Sequence, residues 1–290
     1  DARRHSRPRG RGIRFSGALQ PRHRAGVRRA AAARICQGAD VPDLLTASFL
    51  VVAGLVAGVI GTAGGITSLV AFPALLAVGI PPLAANVTNS VALLGSGLSS
   101  ALRAGPDLRG HSATLRTWMP LSIVFSLVGA VLLVLTPGAL FDRVVPFLVA
   151  TGSLVLLAQP VIARAQRRFG RGMPRPAAAI AGGAVATYNG YFGAGSGILL
   201  ITLLLLTTEP VLHRANSLKN VILVASDVLP AMLFAVWGTV VWAAMWPLAI
   251  GAVLGGLIGP AVARRLPPAV LRVLIALCGF ALAGYLLVRG

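Results

Sequence analysis

The sequence predicts an all-α polytopic membrane protein, and three observations predict it. The 290 residues are 56% hydrophobic and only 11% charged, with mean hydropathy +0.83, too apolar for a soluble domain of this length. Apolar stretches of about 18 residues or more recur from residue 44 onward, each suited to a helix across a hydrocarbon core of about 30 Å. A β-barrel would show short alternating strands instead. Finally, the second half of the chain repeats the first. Gly58, Gly61 and Gly65-Ile66 fall on Gly190, Gly193 and Gly197-Ile198 at a constant offset, and Ala85-Asn86 falls on Ala215-Asn216 after a two-residue gap. The expected architecture is about eight transmembrane helices in two homologous four-span repeats, each opening with a broken, Gly-rich helix.

Residues 1–43 mix Arg, Gly, Pro and Ala without periodicity and read as a basic disordered segment. The formal charge of +19 does not point to nucleic acid, because the arginines crowd this head and the short links between apolar runs, where topology explains them. The apolar runs are 44–80, 84–103, 117–136, 144–163, 177–207, 215–238, 244–263 and 269–288. They divide into repeat 1 (44–163), a basic link (164–176) and repeat 2 (177–290). Two runs are too long. At 1.5 Å per residue, 44–80 would reach about 55 Å and 177–207 about 46 Å, so each must bend, break or fold back. Each contains a glycine cluster, GTAGGIT (61–67) or GAGSGIL (193–199).

With eight spans and residue 1 inside, the cytoplasm holds the head, Arg103, Arg109, Arg116, the arginine-rich 164–176 link and Arg289. The outside holds Arg143, Arg214, Arg264, Arg265 and Arg272. This bias favours eight spans with both termini cytoplasmic; two crossings per long run would give ten spans and move the link outside. Trp118, Trp237, Trp242 and Trp246 lie near span ends, as interfacial anchors do.

Paired Gly-interrupted spans in an internal repeat point to a transporter and its substrate site. A broken helix frees backbone N–H groups that need partners in lipid, a bound anion supplies them, and glycine allows close approach. The competing explanation is helix packing through small residues, which is sufficient for Gly54 and Gly58 and for Gly251, Gly255 and Gly259. The candidate substrate-binding residues are Gly61, Gly64 and Gly65 of the first cluster, Gly193, Gly195, Ser196 and Gly197 of the second, and the nearby Asn189. Asn86 and Asn89 open one polar stripe; Asn216, Lys219 and Asn220 open its counterpart. Polar stripes on apolar helices face a bundle interior or wet cavity. Asp227 lies deeper in its span and is the candidate for ion coupling, by proton. Lys219 near a span entrance could also snorkel, and Asp227 could pair with Lys219 or bond backbone freed at Pro230.

The stretches GLVAGVIGTAGGITSLVAFPALLAVGIPPLAANVTNS (54–90) and YNGYFGAGSGILLITLLLL followed by HRANSLKNVI (188–206, 213–222) resemble the two halves of the TauE/SafE sulfite exporter family, also called the 4-toluene sulfonate uptake permeases. The resemblance covers about residues 44–290. It implies a membrane carrier of small anions such as sulfite, sulfonates or sulfoacetate, driven by an ion gradient or by the substrate's own. A channel-like or non-transporting membrane scaffold is the alternative. Enzyme readings are weak. GAGSG is not G-x-S-x-G, no His lies in a span, and there is no P-loop. Cys36 and Cys278 lack metal-ligand spacing. No cofactor or metal is expected, and the partners are a small anionic substrate and the lipid bilayer.

Overall fold

The computed structural model describes residues 43–102, 108–169, 173–263 and 268–289. Among these there is no strand; the helices are α1 (Leu44–Gly64), α2 (Ser68–Ala77), α3 (Pro82–Leu102), α4 (Ser112–Leu135), α5 (Gly138–Phe169), α6 (Arg175–Tyr191), α7 (Ser196–Thr207), α8 (Leu212–Trp237), α9 (Trp242–Ala263) and α10 (Pro268–Arg289). Helices α1, α4, α5, α8 and α9 contain stretches long and apolar enough to cross a membrane, as a multi-pass membrane protein requires. The segment expected to be a disordered head lies, save Asp43, outside the described residues. The basic link expected over 164–176 is partly helical, since α5 runs on to Phe169 and α6 begins at Arg175.

Both long apolar runs break at their glycines. Helix α1 stops where Gly65 takes a left-handed conformation, φ 69°, and returns its N–H to the Gly61 carbonyl, a stop that a side chain would oppose. Helix α6 stops at Tyr191, and α7 starts after Gly195, also left-handed at φ 82°. The resulting α2 and α7 have only 10 and 12 residues, about half of a span.

Helix directions show how each break is used. A Cβ on Gly54 would strike the carbonyl of Leu248, and one on Gly58 that of Ala252. One on Gly251 would strike Val51, and one on Gly255 would strike Leu55. Helices α1 and α9 thus run in the same direction, backbone against backbone. Helix α3 also runs with α9: Thr88 accepts the Val241 N–H, Gly95 meets Val253, and Gly256 meets Ser96 and Ser99. Since α1 and α3 are parallel, the short α2 between them is a return leg. The second half does the same. Gly182 meets Trp118, Gly190 meets Ser126, and Gly129 meets Thr187, so α6 runs with α4. Helix α8 opposes α3, with Val87 at Gly238 and Gly97 at Val224, and the link leading into it meets the start of α4 through Glu209 and His111. Hence α8 also runs with α4 and α6, and α7 is the second return leg. The long runs fold back where an eight-span path has them cross once. Hydropathy records apolar length but carries no sign of direction.

Outward faces are apolar. Val124, Val128 and Leu132 on α4, Phe147 and Leu154 on α5, and Met232 and Val236 on α8 are exposed, as lipid-facing side chains are. Trp237, Trp242 and Trp246 share this exposure, whereas Trp118 is only 4% exposed, packed over Gly182 and no interfacial anchor.

Candidate functional site

The two breaks meet inside the bundle. A Cβ on Gly65 would lie 2.8 Å from Gly197 Cα, and one on Gly197 would lie 2.7 Å from Gly65 Cα, so the hairpin tips touch through backbone alone. Beside this contact is a cavity of about 110 Å³, room for several waters or a small oxyanion. From the first break it is lined by Gly61, Gly65, Thr67 and Ser68, and from the second by Asn189, Phe192, Gly193 and Ser196. Helix α3 contributes Ser90, Ser96, Gly97 and Ser100. Helix α8 contributes Lys219, Asn220 and Asp227, with Pro230 and Phe234 further along.

The charges are arranged unusually. Lys219 is 1% exposed, far from the snorkelling geometry open to it in sequence. No hydrogen bond or ion pair reaches it among the described residues. A buried ammonium without a partner is costly, and a bound anion would offset that cost. Asp227 does not pair with it. Its Oδ1 accepts from Asn189 Nδ2 at 2.6 Å, and Ser196 Oγ donates to Asn189 Oδ1 at 2.6 Å or to the Gly193 carbonyl at 2.8 Å. One hydroxyl proton thus serves two acceptors, and the chain Ser196–Asn189–Asp227 ties the second break to α8.

Other sequence candidates are placed differently. Asn86 and Asn89 do not line the cavity: Asn86 Nδ2 donates to the Tyr191 carbonyl at 3.0 Å and Asn89 Nδ2 to Ser68 Oγ at 3.1 Å. These amides hold the breaks in place. Gly195, Gly197 and Asn216 are also off the cavity wall, and Gly64 closes α1. Several first-turn N–H groups that an anion was expected to satisfy are already bound, Ser196 to the Gly193 carbonyl, Ile198 to that of Gly195, and Leu69 to that of Ile66. Thr67, Ser68 and Phe192 join the cavity wall beyond the sequence candidates, although the first two stand within or beside the first glycine cluster.

The sequence profile of the family described as Sulfite exporter TauE/SafE matches residues 47–286. A probable membrane transporter protein of Haemophilus influenzae is 28% identical over 245 residues, 82% of this chain and 92% of its own. The probable membrane transporter protein YfcA of Escherichia coli is 28% identical over 224 residues, 75% of this chain and 80% of its own. ORF9 of a Sinorhizobium species, also a probable membrane transporter protein, is 27% identical over 241 residues, 81% of this chain and 90% of its own. No solved structure matches significantly.

Proposed function

Because the chain belongs to the TauE/SafE sulfite exporter family, a family of membrane transporters, we propose that it carries a small oxyanion, sulfite or a sulfonate, by secondary transport, with the cavity between the hairpin tips as its binding site. The observation that carries this reading is Lys219, buried on the cavity wall with no ion pair or hydrogen bond to a described residue. The hydroxyl of Ser96 and the amide of Asn220 border the same space and suit oxyanion oxygens, while the Ser100 hydroxyl already donates to the Ser96 carbonyl at 2.9 Å. Purified protein in proteoliposomes should take up labelled sulfite or sulfonate with saturation, and unlabelled oxyanion on the far side should accelerate exchange. Linear, non-saturating flux would support a channel-like pore, and no flux with any oxyanion would support a scaffold.

Coupling falls to Asp227, which faces the same cavity and would oppose an anion unless protonated. Asp227→Asn is expected to keep substrate binding and lose accumulation driven by a pH gradient. Undiminished accumulation by the variant would remove Asp227 from the coupling step.

We also propose two homologous repeats of opposite sense. Support comes from matching packing: α1 against α9 corresponds to α6 against α4, and α3 against α9 to α8 against α4. Each half is then one hairpin entering from its own face plus three crossing helices, in place of four crossings. The helix directions gather Arg109, Arg116, Arg164, Arg167, Arg168, Arg175, Arg214 and Arg272 toward one end, leaving Arg143 and Arg289 at the other. That asymmetry assigns the first end to the cytoplasm. The link after α5 stays inside as the sequence suggests, while the start of α1 and the end of α10 move outside. The arginines of the 1–43 head favour the reverse, so labelling discriminates. In a background free of Cys36 and Cys278, Gly138→Cys should react with an impermeant maleimide from outside and Met173→Cys should not. The opposite pattern would invert the orientation.

A further inference from the structure

The cavity ends near the last turn of α3, which supplies Ser100, and the second turn of α8, which supplies Lys219 and Asn220. The links beyond those two turns are clasped together. His111, in the link after α3, meets Glu209, in the link before α8, with Nε2 at 2.5 Å from Oε2. Glu209 is 3% exposed and also accepts the Val211 N–H at 2.9 Å. The other ring nitrogen of His111, Nδ1, lies 3.1 Å from the Arg109 carbonyl. A carbonyl and a carboxylate both only accept, so both ring nitrogens must donate and the ring that fits here is the imidazolium. At the other end of the bundle the link before α9 is tied to α3 by a neutral bond, Val241 N–H to Thr88 Oγ1 at 2.9 Å.

We propose that the His111–Glu209 pair is a proton-operated latch over the Lys219 end of the cavity, closed while the imidazole carries its second proton and released when it loses it. Helix α7 transmits the release, because it runs from Ser196 at the hairpin tip to Thr207, two residues before Glu209. Loss of the proton removes one of the ring's two donations and its attraction for a nearly buried carboxylate. The other described charged or titratable side chains of these links and of the adjoining turns of α4 and α8 are Arg109, Arg116, His213 and Arg214, and Arg214 acts on Glu209 directly. Arg103 and Asp107 of the same link lie outside the described residues. Burial pulls Glu209 toward its neutral form, but the Val211 N–H, His111 and Arg214 outweigh it and hold its carboxyl below the ordinary glutamate value. Glu209 therefore contributes its charge down to acid pH and loses it only as pH falls through that lowered value.

The latch rests on the transport reading only for its purpose, and its test uses no substrate. A reporter, Ser100→Cys in a background free of Cys36 and Cys278, is labelled with a small methanethiosulfonate reagent between pH 5.5 and 8.5. Rates are normalised at each pH to the exposed Gly138→Cys. The normalised rate should rise about tenfold with pH, as one proton's release can produce over this range. Adding His111→Ala should make it fast at both extremes, and adding the permanently charged His111→Arg should keep it slow at both. A normalised rate that ignores pH in the reporter itself would overturn the latch, as would a folded His111→Ala reporter that retains the pH dependence. Failure of Lys219 variants to lose oxyanion binding would overturn the transport site and leave this result standing.

Discussion

Substitution of Lys219 by methionine is expected to abolish most oxyanion affinity while raising the melting temperature. Charge-assisted hydrogen bonds contribute about 1.5–3 kcal/mol, so affinity should fall about 10- to 100-fold. Methionine keeps the unbranched stem, and Lys219 gives up no hydrogen bond or ion pair to a described residue. Removing a buried charge then relieves the fold, and each kcal/mol gained is about 2–4 °C in a chain of this size. Isothermal titration with sulfite or a sulfonate and a thermal melt in the same detergent read the two effects. A lowered melting temperature with unchanged affinity would make Lys219 a structural residue and remove the main support for the anion site.

The second large effect is expected at Gly197. An alanine there would place Cβ 2.7 Å from both Cα and O of Gly65, backbone that cannot rotate away. Overpacking a well-packed core costs about 1–3 kcal/mol, and a clash between two backbones should reach the top of that range. Gly195→Ala is the internal comparison. Its Cβ would find only ordinary contact, 3.5 Å from Gly152 Cα, at φ 82°, leaving a left-handed strain of about 1–2 kcal/mol. Gly197→Ala should therefore melt lower than Gly195→Ala, and any Gly197→Ala that folds should transport poorly because its hairpin tips are pushed apart. The reverse order of stability would mean that the tips do not meet.

Much of this was legible residue by residue. The excess length of two apolar runs showed that something happens at Gly61–Gly65 and Gly193–Gly197, and breaks occur at both. The stripe on α8 led to Lys219, Asn220 and Asp227, all on the cavity wall. The pairing of Gly54 and Gly58 with Gly251 and Gly255 follows the small-residue rule, although the sequence does not name the partner helix. What stayed hidden depends on direction and distance. Asn86 and Asn89 look like ligand amides from their spacing, yet they hold Tyr191 and Ser68, contacts that no periodicity within α3 encodes. The fold-back of α2 and α7 leaves no mark, because both legs of a hairpin are equally apolar. His111 and Glu209 are 98 residues apart, each unremarkable in its own link.

The contact between the tips also governs how the chain is made. Asn86 holds the carbonyl of Tyr191, 105 residues later, and at about 5–20 residues per second the ribosome needs about 5–20 s to deliver it. Throughout that interval α3 carries an unmatched amide, and the first hairpin ends on a bare backbone turn. Unsatisfied polar groups cost several kcal/mol each in hydrocarbon, so the nascent first half cannot simply be released into lipid. It must be sheltered, by the insertion machinery or a membrane chaperone, until α6 and α7 arrive. A chain truncated before α6 therefore leaves five helices complete in sequence and incomplete in maturation, and it presents to membrane proteases the polar face that the second hairpin would have covered.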